Sequence, residues 1–246
     1  MNLLFHFGRY VMLLGNALFA RPENLRMYRK ELLRQMDDIG VGSLFIVFLI
    51  SVFMGAVAAL QFAYQLDGQL VPLYYIGYIV RDFALIEAAP TITSLVLAGK
   101  IGSNIAAEIG GMRQKEHIDA MEIMGVNTAA FLIRPKILAS LVMIPVLVTL
   151  AVFLAIVGGY LATVPFGYLT DVDYIRGVHA YFDSYNVFIM YVKAVTFAFL
   201  LTSVSAYQGY FVTGGSIELG RASTNAVVFS DILILLFDYL IAVLLT

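Results

Sequence analysis

The chain has 246 residues, of which 61% are hydrophobic and 13% charged, with a formal net charge of −2 and no cysteine. Its mean hydropathy is +0.88. A soluble domain is about half apolar and a quarter charged, so the composition excludes an ordinary soluble enzyme and points to an integral membrane protein. The missing cysteines exclude a disulfide framework and a thiolate metal site, and no basic-aromatic stripe suggests nucleic acid.

The apolar runs are continuous rather than alternating, which predicts membrane helices and not a barrel. No short apolar region with a small-residue cleavage site opens the chain, so no cleaved signal peptide is expected. Residues 3–19 are apolar but broken by His6, Arg9 and Asn16, and Arg21-Pro22 closes them. The segment is short for a span and predicts an interfacial helix. Over 25–39, Leu25, Tyr28, Leu32, Met36 and Ile39 recur at helical steps, with Arg26, Arg29, Lys30 and Arg34 on the other side. That is a basic amphipathic helix for an anionic membrane surface.

Five spans follow from length: about 43–66, 74–99, 137–162, 186–211 and 226–245. Asp67, Gly68 and Pro72 make a turn after the first. Arg134-Pro135-Lys136 precedes the third, and a loop with Asp171, Asp173, Arg176 and Asp183 follows it. Twelve of the 15 Lys and Arg fall in residues 1–42, 100–136 and at Arg221. The positive-inside rule therefore predicts a cytoplasmic N-terminus and central stretch, and an external C-terminus.

The central stretch, Gly99 to Val126, is polar between apolar flanks. One row of small residues holds Gly99, Ser103, Ala107 and Gly111, and a parallel row holds Gly102, Ala106 and Gly110. Both rows are expected to share a helix side and admit a close neighbouring backbone. After Arg113, Glu116, Asp119 and Glu122 fall on one arc, with Ile118, Ala120, Met121 and Met124 on the remainder. This predicts a short helix with an acidic face, ended by Gly125. A solvated loop helix has the same pattern, but its place between two spans suits it to be gripped by a cytoplasmic protein.

Ionisable residues lie inside the spans, among them Glu87, three positions before Pro90; Lys193; and Asp238. Each costs about 2.5–3.5 kcal/mol at mid-membrane even on insertion scales. They therefore pair between helices or line a polar path. No P-loop is present: at Ser94 to Ile101, Ser94 stands for the first glycine and Ile101 for the Ser/Thr after Lys100. His6, His117 and His179 are too scattered for a metal site. Gly214-Gly215-Ser216 is not a nucleophile elbow.

The stretch Ala98-Gly99-Lys100-Ile101-Gly102-Ser103, then Ala107-Glu108-Ile109-Gly110, Met112-Arg113 and Glu116 to Val126 resembles the MlaE family, the permease subunits of Mla/Mce-type ABC transporters for phospholipids. Glu87 with Pro90 is similar to the family's Glu-Leu-Gly-Pro, and Arg221-Ala222-Ser223-Thr224 to its late Arg-Ala-Thr-like loop. Ala88-Ala89, His117 and Asn127-Thr128 depart from the family pattern. The resemblance covers essentially the whole chain.

It implies an all-α integral membrane protein with a single permease domain over 1–246: interfacial helices in 1–42, then a transmembrane bundle over 43–246 with a coupling helix near 110–125. It implies a homodimer, two cytoplasmic ABC ATPase subunits that hold the ATP and Mg, and a periplasmic Mce-domain lipid-binding protein. It implies no cofactor in this chain and a multi-pass place in the inner membrane, with the C-terminus periplasmic. Glu108, Arg113, Glu116, Asp119 and Glu122 would meet the ATPase. Glu87 and Lys193, with Arg221, Asp238, Leu66 and Tyr75, would line the lipid path. An intramembrane enzyme using Glu87 would need a second catalytic group at that depth, and none is evident. A proton-driven secondary transporter would show internal repeats, and none is evident either.

Overall fold

The computed structural model describes residues 2–19, 25–66 and 72–245. The expected breaks at Arg21-Pro22 and Asp67-Gly68 lie outside these residues, as do the side chains of Leu25 and Arg26. The described residues form helices α1 (Asn2–Phe19) and α2 (Leu25–Ile39), a 3₁₀ turn at Val41–Ser43, and α3 (Leu44–Leu66). A long helix, α4, runs Tyr75–Gln114. It is followed by α5 (His117–Ile123), α6 (Thr128–Thr163), α7 (Asp171–His179), α8 (Ser184–Tyr210) and α9 (Ser216–Leu245). Among the described residues there is no strand.

Five helices, ending in α3, α4, α6, α8 and α9, are long and apolar enough to span a membrane. Their outer faces stay bare along their length: Phe45, Phe53 and Val57 on α3, Val146, Phe153 and Val157 on α6, and Ile232, Leu236 and Leu240 on α9 are exposed. Apolar faces of that extent need a lipid solvent. Within it, helices are the form that satisfies every backbone group internally. The chain is an all-α integral membrane protein.

Two helices outreach the bilayer. At 1.5 Å per residue, α4 is about 60 Å long and α6 about 54 Å, against about 30 Å of hydrocarbon. The excess lies at one end, where α4 stops, α5 folds across and α6 begins. The expected third span at 137–162 thus extends back to Thr128, because Asn127 caps α6 by accepting from the Ala130 amide and Pro135 is absorbed without a break. The opposite end holds α7, which the expected loop at 163–185 lacked. Its cap was legible: Thr170 accepts from the Asp173 amide, Asp171 and Asp173 fill the first turn, and Arg176 and His179 the last.

The core runs between α4, α6 and α8, where Leu97, Ile109, Ile133, Ile137, Ile144, Leu147 and Phe197 are fully buried. α3 lies on α6 at backbone distance. A Cβ at Gly55 would stand 1.9 Å from the Ala155 carbonyl oxygen, and one at Gly158 2.1 Å from that of Val52. α1 and α2 are not loose on a surface. α2 packs on the extension of α6 with Tyr28, Gln35 and Ile39 buried. α1 buries Leu13 and Ala17, and hydrogen-bonds α8 through His6 to Tyr207 (2.8 Å) and Tyr10 to Ser203 (2.7 Å).

Candidate functional site

Three spans bring their charges to one point. The Lys193 ammonium, on α8 and fully buried, donates to the Glu87 carboxylate of α4 (2.9 Å). It stands 2.7 Å from a carboxylate oxygen of Asp238 on α9. Its third donor goes to the carbonyl of Ile86 at 2.9 Å. Pro90 lies four positions on and has no N–H to give the backbone ladder. Around it, Ala84–Ile92 winds as a π-helix, a form that recurs at functional sites. Thr91 donates to Asp238 at 3.0 Å and completes the shell.

The cluster holds two carboxylates and one ammonium. Burial grades across it: Lys193 is closed off, Asp238 is 17% exposed and Glu87 42%. Its open side is therefore an anionic group, Glu87, facing out of the bundle at mid-membrane. Taken alone, each of the three residues was legible as an anomaly. Their meeting was not, because 106 and 147 positions separate the partners of Glu87 and Thr91.

The other expected path residues lie elsewhere. Leu66 packs in a small cluster with Ala59, Ala63, Ile76, Val80 and Leu169 at the α7 end. Tyr75 sits there too, twelve positions and about 18 Å from Glu87 along α4. It stacks on Tyr74 (4.6 Å) and Tyr181 (6.4 Å). Arg221 is exposed near the start of α9, at the α5 end, about 25 Å of helix from Asp238. Arg81 escaped the sequence reading. It is 2% exposed, pairs with Asp82 at 2.7 Å, and donates to the carbonyls of Val178, Ala180 and Tyr181. The Arg-Asp pair inside an apolar run was its signal. It staples the loop after α7 to the span that carries Glu87.

The second site is the α5 corner. Lys115 ends α4, and Glu116 turns the chain with a positive φ of 58°. Ile118 is fully buried and anchors α5. Gly125, at φ +84°, ends it as expected, and the Val126 amide donates to the Met121 carbonyl at 3.0 Å, a Schellman closure. The acidic arc is not free. The Arg113 guanidinium lies 2.8 Å from Asp119 and 3.8 Å from Glu122, in charge contact rather than along an N–H direction. Glu122 also accepts from Tyr210 of α8 (2.9 Å), and Thr128 shares a hydrogen bond with that phenol (2.8 Å). Glu108 pairs with the buried Lys136 of α6. So α5 is braced against α4, α6 and α8 together. Outward it shows Ile123, 87% exposed, and Met124, 71% exposed, beside Glu116 and His117.

One row of small residues is packed and the other is not. Ala106 is fully buried, and a Cβ on Gly209 of α8 would stand 2.7 Å from its carbonyl oxygen. A Cβ at Gly102 would lie 2.8 Å from the Ser205 hydroxyl, and one at Gly110 2.5 Å from Leu219. Gly99 and Gly111 have open space where a Cβ would point, with Ser103 and Ala107 half-buried between them. Lys100, between the rows, donates to the Gly42 carbonyl and to Ser43.

The profile of the family described as Permease MlaE matches residues 32–244. A protein of Rickettsia bellii named Probable ABC transporter permease protein is 34% identical over 215 residues, which cover 87% of this chain and 83% of that one. The Haemophilus influenzae protein named Intermembrane phospholipid transport system permease protein MlaE is 30% identical over 240 residues, 95% of this chain and 89% of that one. The Arabidopsis thaliana protein named TRIGALACTOSYLDIACYLGLYCEROL 1, chloroplastic, is 26% identical, covering 96% and 67%.

Proposed function

The chain belongs to the MlaE family of permeases, and from that premise we propose that it is the membrane subunit of an ABC transporter that carries phospholipids between the inner and outer membranes. It forms one permease domain, pairs with a second copy, and is driven by two cytoplasmic ATPase subunits that hold ATP and Mg. A periplasmic Mce-domain protein takes or delivers the lipid. The α5 end faces the cytoplasm and the α7 end the periplasm, as the distribution of Lys and Arg supports.

The observation that carries this reading is the charge cluster at mid-membrane, open on its Glu87 side. Intramembrane ions persist where they pair or meet a substrate path, and this one does the first while leaving a carboxylate for the second. Glu87, Lys193 and Asp238 are the residues of that path. Arg221, Leu66 and Tyr75 stand at the two ends of the bundle, where lipid would enter or leave it. On α5, Ile123 and Met124 offer apolar contact to the ATPase and Glu116 a charge. Arg113, Asp119, Glu122 and Glu108 hold α5 rigid, so that a push on it moves α4 and α8 together.

A pull-down of the tagged membrane complex, with mass spectrometry of proteins and lipids, tests this. An ATPase, an Mce-domain protein and phospholipid recovered together support it. A chain recovered without an ATPase refutes it.

A further inference from the structure

We propose that the groove between α1, α8 and α9 is a second phospholipid site, on the outer face of the bundle, with an acyl chain along its wall and the phosphate on Arg9. The groove is a cavity of about 840 Å³, within the size range of ligand sites. Leu200 and Val204 of α8 and Leu233 and Phe237 of α9 form its wall. From Leu200 to Phe211 the wall runs eleven positions, about 16 Å of helix, or half the hydrocarbon thickness. It is as deep as one leaflet.

Its mouth is cationic. The Arg9 guanidinium lies 3.9 Å above the Phe211 ring and 5.7 Å from that of Phe5. No carboxylate among the described residues pairs with it. Ring faces hold a guanidinium in place while leaving its in-plane donors free for an oxyanion. His6, fixed by Tyr207, and Gln208 stand beside it. Tyr210, next to Phe211, binds Glu122, so the mouth is at the α5 end of the bundle. There a long cationic side chain reaches the headgroup level. The outer face of α1 continues the apolar surface, with Phe7 and Val11 exposed. An apolar groove one leaflet deep, ending at headgroup height in a cation that no described carboxylate pairs, matches a phospholipid by shape and by charge. This site requires only that the chain sits in a bilayer and not that it transports lipid.

The test counts phospholipids retained by the whole complex when native mass spectrometry releases it from nanodiscs of phosphatidylethanolamine and phosphatidylglycerol. Arg9→Gln and Leu233→Trp are each expected to lose one phospholipid per chain, while Arg9→Lys keeps it. Phe153→Trp, on a bare apolar face of α6, is expected to leave that lipid in place, which separates this site from lipid held loosely on the outer surface. Equal counts in wild type, Arg9→Gln and Leu233→Trp overturn the proposal. So does a disulfide-linked dimer from Phe229→Cys in this cysteine-free chain, since a second copy would then fill the groove.

Discussion

Removing the ammonium of the charge cluster should cost far more than removing either carboxylate. Lys193→Met leaves two carboxylates facing each other and strips the Ile86 carbonyl of its donor. Deleting one partner of a buried ion pair costs about 3–5 kcal/mol. For a chain of this size that is a fall of roughly 6–20 °C in melting temperature. Glu87→Gln leaves Lys193 and Asp238 as a balanced pair. Because Glu87 is 42% exposed, its own pairing is discounted toward the surface value of about 1 kcal/mol or less. Asp238→Asn falls between, at about 2 kcal/mol, since Asp238 is more enclosed and loses charge on its bonds to Lys193 and Thr91. Thermal unfolding of the four proteins in one detergent gives the order. Adding Glu87→Gln to Lys193→Met should recover part of the loss, because one uncompensated charge goes with it. A Lys193→Met protein that melts within about 1 kcal/mol of wild type, or a Glu87→Gln as damaging as Lys193→Met, would refute a buried ammonium that balances two carboxylates.

Gly158→Val places side-chain atoms on the Val52 carbonyl, where neither backbone can retreat, and should cost at least the 1–3 kcal/mol of an overpacked core; a wild-type melting curve would show that α3 and α6 can separate freely. Ile123→Asp with Met124→Asp should abolish ATPase capture in a pull-down with little change in melting, since both side chains are exposed; full capture would remove the tip of α5 from the interface. Burial pushes the Tyr174 phenol above its ordinary value of 10.0. A folded value above the unfolded one adds stability that is whole below pH 10 and fades as pH climbs toward the folded value. Tyr174→Phe should therefore lose the alkaline decline in stability, and an unchanged decline would assign it to another group.

The five spans were legible because apolar length is a local property, and so was the stop of α5, because Gly125 states it directly; but α4 runs on past 99 to Gln114, and α6 and α9 begin at Thr128 and Ser216, ahead of the expected 137 and 226, because polar residues there continue the helix beyond the apolar run. The two rows of small residues were equally visible, yet only one is packed. The difference rests on Gly209 of α8, which approaches Ala106 and has no mark of its own in the sequence. Glu87, Lys193 and Asp238 each stood out by cost, but cost names no partner. Arg81 carried no such mark of its role, because its three carbonyl acceptors, one at the end of α7 and two in the loop after it, lie about a hundred positions away.

Gln114 and Glu87 lie on one helix, so α4 acts as a shaft between the coupling corner and the membrane interior. Two short stretches of it, Ala84–Ile92 and Ala98–Gly102, are wound more loosely than the rest. If one rewinds by a single residue, everything beyond it turns by about 100° and advances about 1.5 Å. Spin labels at Leu95 and Gln114 would separate the two kinds of motion: simple translation keeps their distance, and rewinding between them changes it. A shaft with such slip points converts a short axial thrust into torque, and the carboxylate at its far end would answer by swinging rather than by sliding.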